Sequence, residues 1–175
     1  MRIISGIYKG RKLVSPDTKK VRPTSDRAKE TLFNILNNII DFEGMSCLDL
    51  FCGSGALGLE AVSRGAEKCV FADRDISTVL KNISVLKAEE NCFTYNGDAV
   101  NYISSVSEKF DLIFCDPPYD FDKYDEIIAA ASKAGSFLAL EHSDKFMLNK
   151  EFEKYLMRKN KTGSVNFSLL DFKLN

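Results

Sequence analysis

The sequence is 175 residues long, with a formal net charge of −1, 45% hydrophobic and 28% charged residues. That is the composition of one globular domain and excludes a disordered, collagen-like or coiled-coil chain. Its apolar runs, such as 112–115 and 137–140, fall far short of the ~20 residues of a membrane-spanning helix. Residues 1–6 lack the apolar stretch of a secretory leader, so a cytoplasmic protein is expected.

In chain order, residues 2–8 and 11–15 flank Lys9-Gly10 and predict a short β-hairpin. Residues 16–23, bounded by Pro16 and Pro23, predict a loop. Thr24 or Ser25 can cap a helix with Asp26 in its first turn. In that helix Ala28, Leu32, Ile35, Leu36 and Ile39 form an apolar stripe at helical spacing, ending before Glu43-Gly44. From residue 45 the pattern alternates. Strands are predicted at 45–51, 68–72, 93–95, 110–115 and 136–141, with helices at 56–64, 76–87, 99–106 and 124–133. Alternation of this kind implies parallel strands with crossover helices, an open doubly wound α/β sheet. Two further strands, 152–160 and 165–173, predict an antiparallel hairpin at one edge. The pattern divides the chain into a basic N-terminal hairpin and helix, 1–43, and an α/β domain, 44–175.

Charge is unevenly spread. Residues 1–30 carry nine basic and three acidic side chains, a net of +6, and the remainder carries 15 basic and 22 acidic, a net of −7. A basic arm on an acidic body suits either a phosphate-binding face or a merely solvated arm. The five cysteines (Cys47, Cys52, Cys69, Cys92, Cys115) show no C-x-x-C spacing, and Cys47, Cys69 and Cys115 lie in apolar runs, as buried thiols would. His142 is the single histidine. That rules out a metal site with two histidines and leaves a serine-hydrolase triad without its G-x-S-x-G elbow. No metal is expected.

Two segments carry chemistry. The first predicted parallel strand runs through Asp49 into Gly53-Ser54-Gly55-Ala56-Leu57-Gly58, a G-x-G-x-x-G loop at a strand-to-helix junction. Gly53 and Gly55 let a ligand approach the backbone, and the helix amides face it. Asp73 closes the next strand 20 residues after Gly53 and can accept from a ribose diol. These features point to a nucleoside-containing cofactor. A dinucleotide would set the glycines against a pyrophosphate. S-adenosylmethionine has no phosphate and carries an ammonium and a sulfonium, beside which Asp49 would place negative charge, so it fits better. A nicotinamide-dependent oxidoreductase remains the alternative. Asp98 is either an acceptor for the adenine amino group, with the Ala99 amide meeting the ring, or a plain helix cap. The second segment is Asp116-Pro117-Pro118-Tyr119, which follows the apolar strand 110–115. The prolines stiffen the turn and leave only acceptors. Asp116 and the Pro117 carbonyl can hold one amino group, and Tyr119 offers a stacking face for a flat base. An exocyclic amine placed against an electrophile needs orientation more than a strong base. A non-catalytic RNA-binding module is a third reading.

The string Asp-Leu-Phe-x-Gly-Ser-Gly-x-Leu-Gly (49–58) together with Asp-Pro-Pro-Tyr (116–119) resembles the S-adenosylmethionine-dependent amino-group methyltransferases. Residues 1–13 (Met-Arg-Ile-Ile-Ser-Gly-x-Tyr-Lys-Gly-Arg-Lys-Leu) and 22–36 (Arg-Pro-Thr-Ser-Asp-Arg-Ala-Lys-Glu-Thr-Leu-Phe-Asn-Ile-Leu) resemble the RsmD family, bacterial enzymes that methylate guanine N2 in 16S ribosomal RNA. The resemblance covers nearly the whole chain. It implies a Rossmann-like fold with a seven-stranded, mostly parallel sheet and a reversed last strand. It implies a cofactor site of Asp49, Phe51, Gly53, Ser54, Gly55, Asp73, Arg74, Asp98 and Ala99, and a guanine site of Asp116, Pro117, Pro118 and Tyr119. It also implies an RNA grip through Arg2, Arg11, Arg22 and Arg27, with 16S RNA in a small-subunit particle as partner; separately, a monomer is expected. The catalytic tetrapeptide alone is shared with DNA adenine methylation, and another RNA is a further alternative substrate. One segment departs from the family: its Arg-Tyr-Gly-Asp-Thr-like stretch is Lys161-Thr162-Gly163-Ser164-Val165 here, without the aromatic and acidic members.

Overall fold

The computed structural model describes residues 1–16 and 26–174. After an irregular N-terminal segment come α1 (Asp26–Leu36), β1 (Ser46–Leu50), α2 (Ala56–Ser63), β2 (Lys68–Asp73), α3 (Ser77–Leu86), β3 (Cys92–Asn96), α4 (Ala99–Ser105), β4 (Phe110–Cys115), α5 (Tyr124–Ala134), β5 (Gly135–His142), a 3-10 turn (Lys150–Tyr155), β6 (Leu156–Thr162) and β7 (Val165–Asp171). Among the described residues, seven strands form one sheet in the order β3-β2-β1-β4-β5-β7-β6. The pairs from β3 to β5 are parallel, and β7 runs antiparallel to both β5 and β6. The doubly wound sheet, the reversed strand and the edge hairpin therefore match the sequence reading.

The central strands are apolar on both faces because both are covered, as parallel sheets require. Cys47, Cys69, Phe71, Leu112 and Phe114 face a layer built from α1, α2 and α3. Leu48, Leu50, Val70, Ile113 and Cys115 face the layer of α4 and α5. All five thiols are buried. Burial pushes the Cys47 and Cys92 thiols up to about 12.

The N-terminal segment belongs to the same core as the sheet: Ile3 and Leu13 pack with Leu32, Phe33 and Phe114. The expected hairpin reduces to a single antiparallel bridge, Arg2 to Lys12. Main-chain bonds from Ile3 to Arg11, Gly10 to Ile3 and Leu13 to Met1 still join the two arms, while other amides of the first arm turn to the body. Those of Ile4 and Ser5 donate to the Glu60 carboxylate at 2.8 and 3.0 Å, and that of Ile7 donates to the Ser63 carbonyl. Helix α1 stops at Leu36, short of Ile39, and continues as turns through Asn37–Ile40 amides bonded to Phe33, Ile35 and Leu36 carbonyls. The predicted strand at 152–160 is half 3-10 helix. The Asn149 side chain accepts from the Glu151 amide and starts that turn, and Phe152 is buried against the α5 layer. The caps expected at Thr24 or Ser25 and the loop of 16–23 lie, Pro16 aside, outside the described residues.

Helix α2 is buried along its whole length, including Glu60. Such a charge persists only when paired and fully hydrogen-bonded. Lys29, itself fully buried, places Nζ 2.9 Å from Glu60 Oε2 and donates to the Arg2 carbonyl at 2.6 Å. Arg64 donates from Nε and pairs through its terminal nitrogen, each 2.9 Å from Oε1, while its guanidinium lies 4.8 Å from the Phe33 ring centre. One carboxylate thus ties the N-terminal segment, α1 and α2 together. Replacing Glu60 by Ala strands the Lys29 ammonium and two amides. A loss of ~3–5 kcal/mol is expected in urea unfolding, as for other broken buried pairs.

Candidate active site

In a doubly wound sheet, ligands bind at the carboxyl ends of the strands where the strand order reverses. Here that point lies between β1 and β4. Leu50 is in register with Cys115, neighbouring strands are ~4.8 Å apart, and the Asp116 amide donates to the Leu50 carbonyl at 3.4 Å. The glycine loop after β1 and the Asp-Pro-Pro-Tyr turn after β4 therefore emerge side by side on one edge.

The loop is shaped by backbone that few side chains tolerate. Gly55 caps α2 at a φ of 76°, and a Cβ there would fall 2.5 Å from Val79 Cγ2. Gly58 lets α2 approach β2, since its Cβ would overlap the Phe71 ring and Cys69 Sγ. Phe51 takes a φ of 56°, an uncommon conformation for a bulky residue. Its ring packs edge-on against Phe121 at 5.2 Å. The Phe121 amide donates to the Pro118 carbonyl at 2.9 Å. Phe121 therefore closes the Asp-Pro-Pro-Tyr turn and presses it on the glycine loop. Sequence reasoning missed it, although an aromatic two residues past a double-proline turn was a usable signal.

The acids have distinct positions. Asp73 accepts the Gly53 amide at 2.9 Å and the Asp75 amide at 3.1 Å, so the end of β2 holds the glycine loop. Asp98 caps α4 through the Asn101 amide and accepts from Arg74 at 2.6 Å, and these two contacts hold its carboxyl below the usual range. Arg74 itself is exposed, and Ala99 is buried at the start of α4. Asp49 requires a correction. It was expected at the open end of β1 beside a cationic ligand. It lies beneath the loop instead, 2% exposed, and accepts the Gly58 amide at 2.9 Å. That amide is one of the unpaired donors of the first turn of α2. The acid does precede the glycine loop, but its neighbour Leu50 is the residue that ends the strand. Ser54 contributes a carbonyl to the buried Asn82 side chain. Tyr119 is 84% exposed, and Pro118 is exposed beside it.

Of the basic residues, Arg2, Arg11 and Arg27 are exposed, and Arg22 lies outside the described residues. Arg2 lies beside Asp26, and Arg11 donates to the Val85 carbonyl at 2.7 Å. No helix among the described residues is long and apolar enough to cross a membrane, and no group of three or more His, Cys, Asp or Glu among them is arranged to hold a metal ion.

The electrostatics are one-sided. Asp49 feels the charges of both Asp73 and Asp116. Among the described residues, Arg74 at this edge faces Asp98, and Lys81 acts on the nearby Asp75. Carboxylates at this edge offer acceptors to hydroxyl, amino and cationic groups. Burial, opposed by the Gly58 amide and reinforced by the two acids, raises the Asp49 carboxyl well above its ordinary 3.8. Between 3.8 and that raised value the folded protein holds more protons than the unfolded chain, so stability is lost as pH rises through the window. Asp49→Asn, which keeps an acceptor for Gly58, is expected to raise the urea midpoint at pH 8 and to leave it unchanged near pH 3.5.

Residues 1–171 match the family described as conserved hypothetical protein 95. Ribosomal RNA small subunit methyltransferase D of Haemophilus influenzae is 34% identical over 181 aligned positions, covering 97% of this chain and 92% of that one. The Escherichia coli K12 protein of the same name is 42% identical over 122, covering 68% of this chain and 60% of that one. A solved structure of yhhF from Escherichia coli superposes with a TM-score of 0.81 at 32% identity, covering 98% and 97% of the two chains. With this fold, this loop-and-turn pair and these relatives, the chain belongs to the RsmD family.

Proposed function

We propose that this protein transfers a methyl group from S-adenosylmethionine to the exocyclic N2 amine of a guanine in 16S ribosomal RNA. The observation that carries the reading is the adjacency of the glycine loop and the Asp-Pro-Pro-Tyr turn, joined by the Asp116 to Leu50 hydrogen bond. The carboxylate lining supports a cationic nucleoside over a dinucleotide. The relatives named ribosomal RNA small subunit methyltransferase D support the RNA.

When bound, S-adenosylmethionine supplies an electrophilic methyl on a sulfonium that departs as a neutral thioether. The protein's part is placement. Gly53 and Gly55 leave the backbone open to the ligand. Asp73 and Asp98 keep acceptor capacity for the ribose hydroxyls and the adenine amine beside the amides they already hold. On the substrate side, Asp116 and the Pro117 carbonyl accept the two N2 hydrogens and aim the nitrogen lone pair. As the nitrogen–carbon bond forms, one of these protons is shed toward Asp116 and solvent. Tyr119 stacks on the base, which leaves its neighbours to enter the site. The arm, through Arg2, Arg11, Arg22 and Arg27, grips phosphates around the target. The enzyme acts as a monomer on an assembling small-subunit particle, and the cytoplasm is the compartment that substrate requires.

Labelled cofactor incubated with unmethylated small-subunit particles is expected to place label on guanine N2. Label on adenine, or none, would overturn the assignment. Asp116→Ala is expected to slow transfer by at least ~100-fold, the scale of losing one oriented polar contact to the reacting group, while calorimetry finds cofactor affinity within about twofold. Replacing Arg2 and Arg27 by Gln is expected to flatten the salt dependence of RNA binding by roughly 0.7–0.9 per lost phosphate contact. An unchanged slope removes those side chains from the grip.

A further inference from the structure

Strand β6 is an edge of the sheet. Three of its seven residues, Arg158, Lys159 and Lys161, are basic, none is acidic, and all three are exposed. They stand out on a body of net negative charge. Strand alternation divides them between two faces. Arg158 is in register with Leu169, which packs in the α1–α3 layer. Lys159 is in register with Ser168, whose hydroxyl meets His142 Nε2 at 2.9 Å. Lys161 is in register with Asn166, itself the partner of His142. The two lysines therefore share the α5 face. Strand β6 runs in the direction of β5, so Lys161 lies at the edge that carries the candidate active site.

The loop after β5 reaches the same place. Its Asp144 carboxylate pairs with Lys161 at 2.7 Å and accepts the Asn166 side-chain amide at 3.0 Å. These contacts tie the loop to the edge hairpin and neutralise Lys161. Lys145 and Met147 are exposed, Met147 to 87%. Between them Phe146 packs on Tyr124, with ring centres 4.5 Å apart, and Phe121 meets the same tyrosine at 5.1 Å. Tyr119, 84% exposed, precedes Phe121 by two residues. The two most exposed large apolar side chains among the described residues thus flank one buried ring.

We propose that Lys145, Met147 and Lys159 form a second RNA-contact surface, which takes the single-stranded nucleotides next to the target guanine. This rests on the function proposed above. There Tyr119 stacks on the guanine. Met147 covers the neighbouring base, and the two lysines meet the phosphates beyond it. Asp120 and Asp122 are exposed beside the turn and repel phosphate, which directs the RNA backbone toward the lysines. Apolar cover for a base and cations along the backbone are the two parts of a sequence-tolerant single-strand site. The N-terminal segment packs in the α1–α3 layer, so the arm and this surface approach the turn from opposite faces of the sheet. Lysines also guard sheet edges against pairing with other chains. That duty draws no distinction between faces and needs no exposed methionine.

The test measures affinity of the full chain for unmethylated small-subunit particles across a salt series, with S-adenosylhomocysteine present so that no transfer occurs. Replacing Lys145 and Lys159 together by Gln is expected to weaken binding about tenfold and to lower the slope of log affinity against log salt by roughly 0.7 per lost contact, the single-strand value. Met147→Ser is expected to weaken binding about three- to tenfold at an unchanged slope, a fraction of the gain from fully burying such a side chain. Arg158→Gln removes the same charge from the other face and is expected to stay within about twofold, as for a cation that neutralises no phosphate. Every substituted side chain is exposed, so the thermal midpoint and S-adenosylhomocysteine affinity are expected to hold. If the lysine and methionine variants bind particles as the unaltered chain does, while that chain labels guanine N2, the surface is overturned and the proposed function stands. If Arg158→Gln weakens binding as much as Lys159→Gln alone, the attraction is diffuse charge and the surface is again overturned. If the unaltered chain neither labels guanine N2 nor binds particles, the proposed function falls and the surface with it.

Discussion

The parallel pairing of β1 with β4 governs this molecule. Because Leu50 and Cys115 are register partners on adjacent strands, the two segments that follow them cannot diverge before they have formed one site. Each segment alone is ambiguous: a glycine loop suits several nucleotides, and an Asp-Pro-Pro-Tyr turn suits several amines. Their juxtaposition at the reversal of strand order is what the proposed amine-alkylating site rests on. The strand order also assigns the flanking layers. The helices that connect strands on the β3 side press on the loop, and those on the β5 side press on the turn through Phe121 and Tyr124.

Much of the fold was legible because hydrophobic period and turn residues agree along the α/β body. The strand at Phe110–Cys115 coincides with its apolar run, and the helix Tyr124–Ala134 differs by one residue from the stretch expected. The misreadings lie where long-range partners outweigh local pattern. Residues 2–8 look like half of a hairpin, but Glu60, more than fifty positions away, takes the amides of Ile4 and Ser5, and Ser63 takes those of Ile7 and Tyr8. The run 152–160 reads as a strand, yet burial of Phe152 beneath α5 and the Asn149 cap favour a tight helical turn over its first residues.

The candidate site is legible in part. The residues of the loop and the turn, which the proposed function sets against ligands, announce themselves through glycine, proline and acid spacing. Those that hold them in place do not. Asn82 and Glu60 sit in helices where a polar residue normally marks a solvent face, and only the folded chain reveals what they reach. Glu60 left one clue, a lone acid inside the otherwise uncharged run Ala56–Ser63. Asp49 shows the reverse error: an acid near a cofactor loop reads as a ligand contact, and its geometry makes it the support of the α2 N-terminus.

The interior thiols give the protein its own internal reporters. Four of them, Cys47, Cys69, Cys92 and Cys115, lie on strands of the sheet, and Cys52 lies in the loop after β1, all of them covered. Their acidity is suppressed by burial, and only a thiolate attacks an alkylating reagent at useful speed. Chemical labelling therefore reads out breathing of the molecule strand by strand. Modification at Cys52 marks transient opening of the glycine loop, whereas modification at Cys115 requires the sheet itself to come apart.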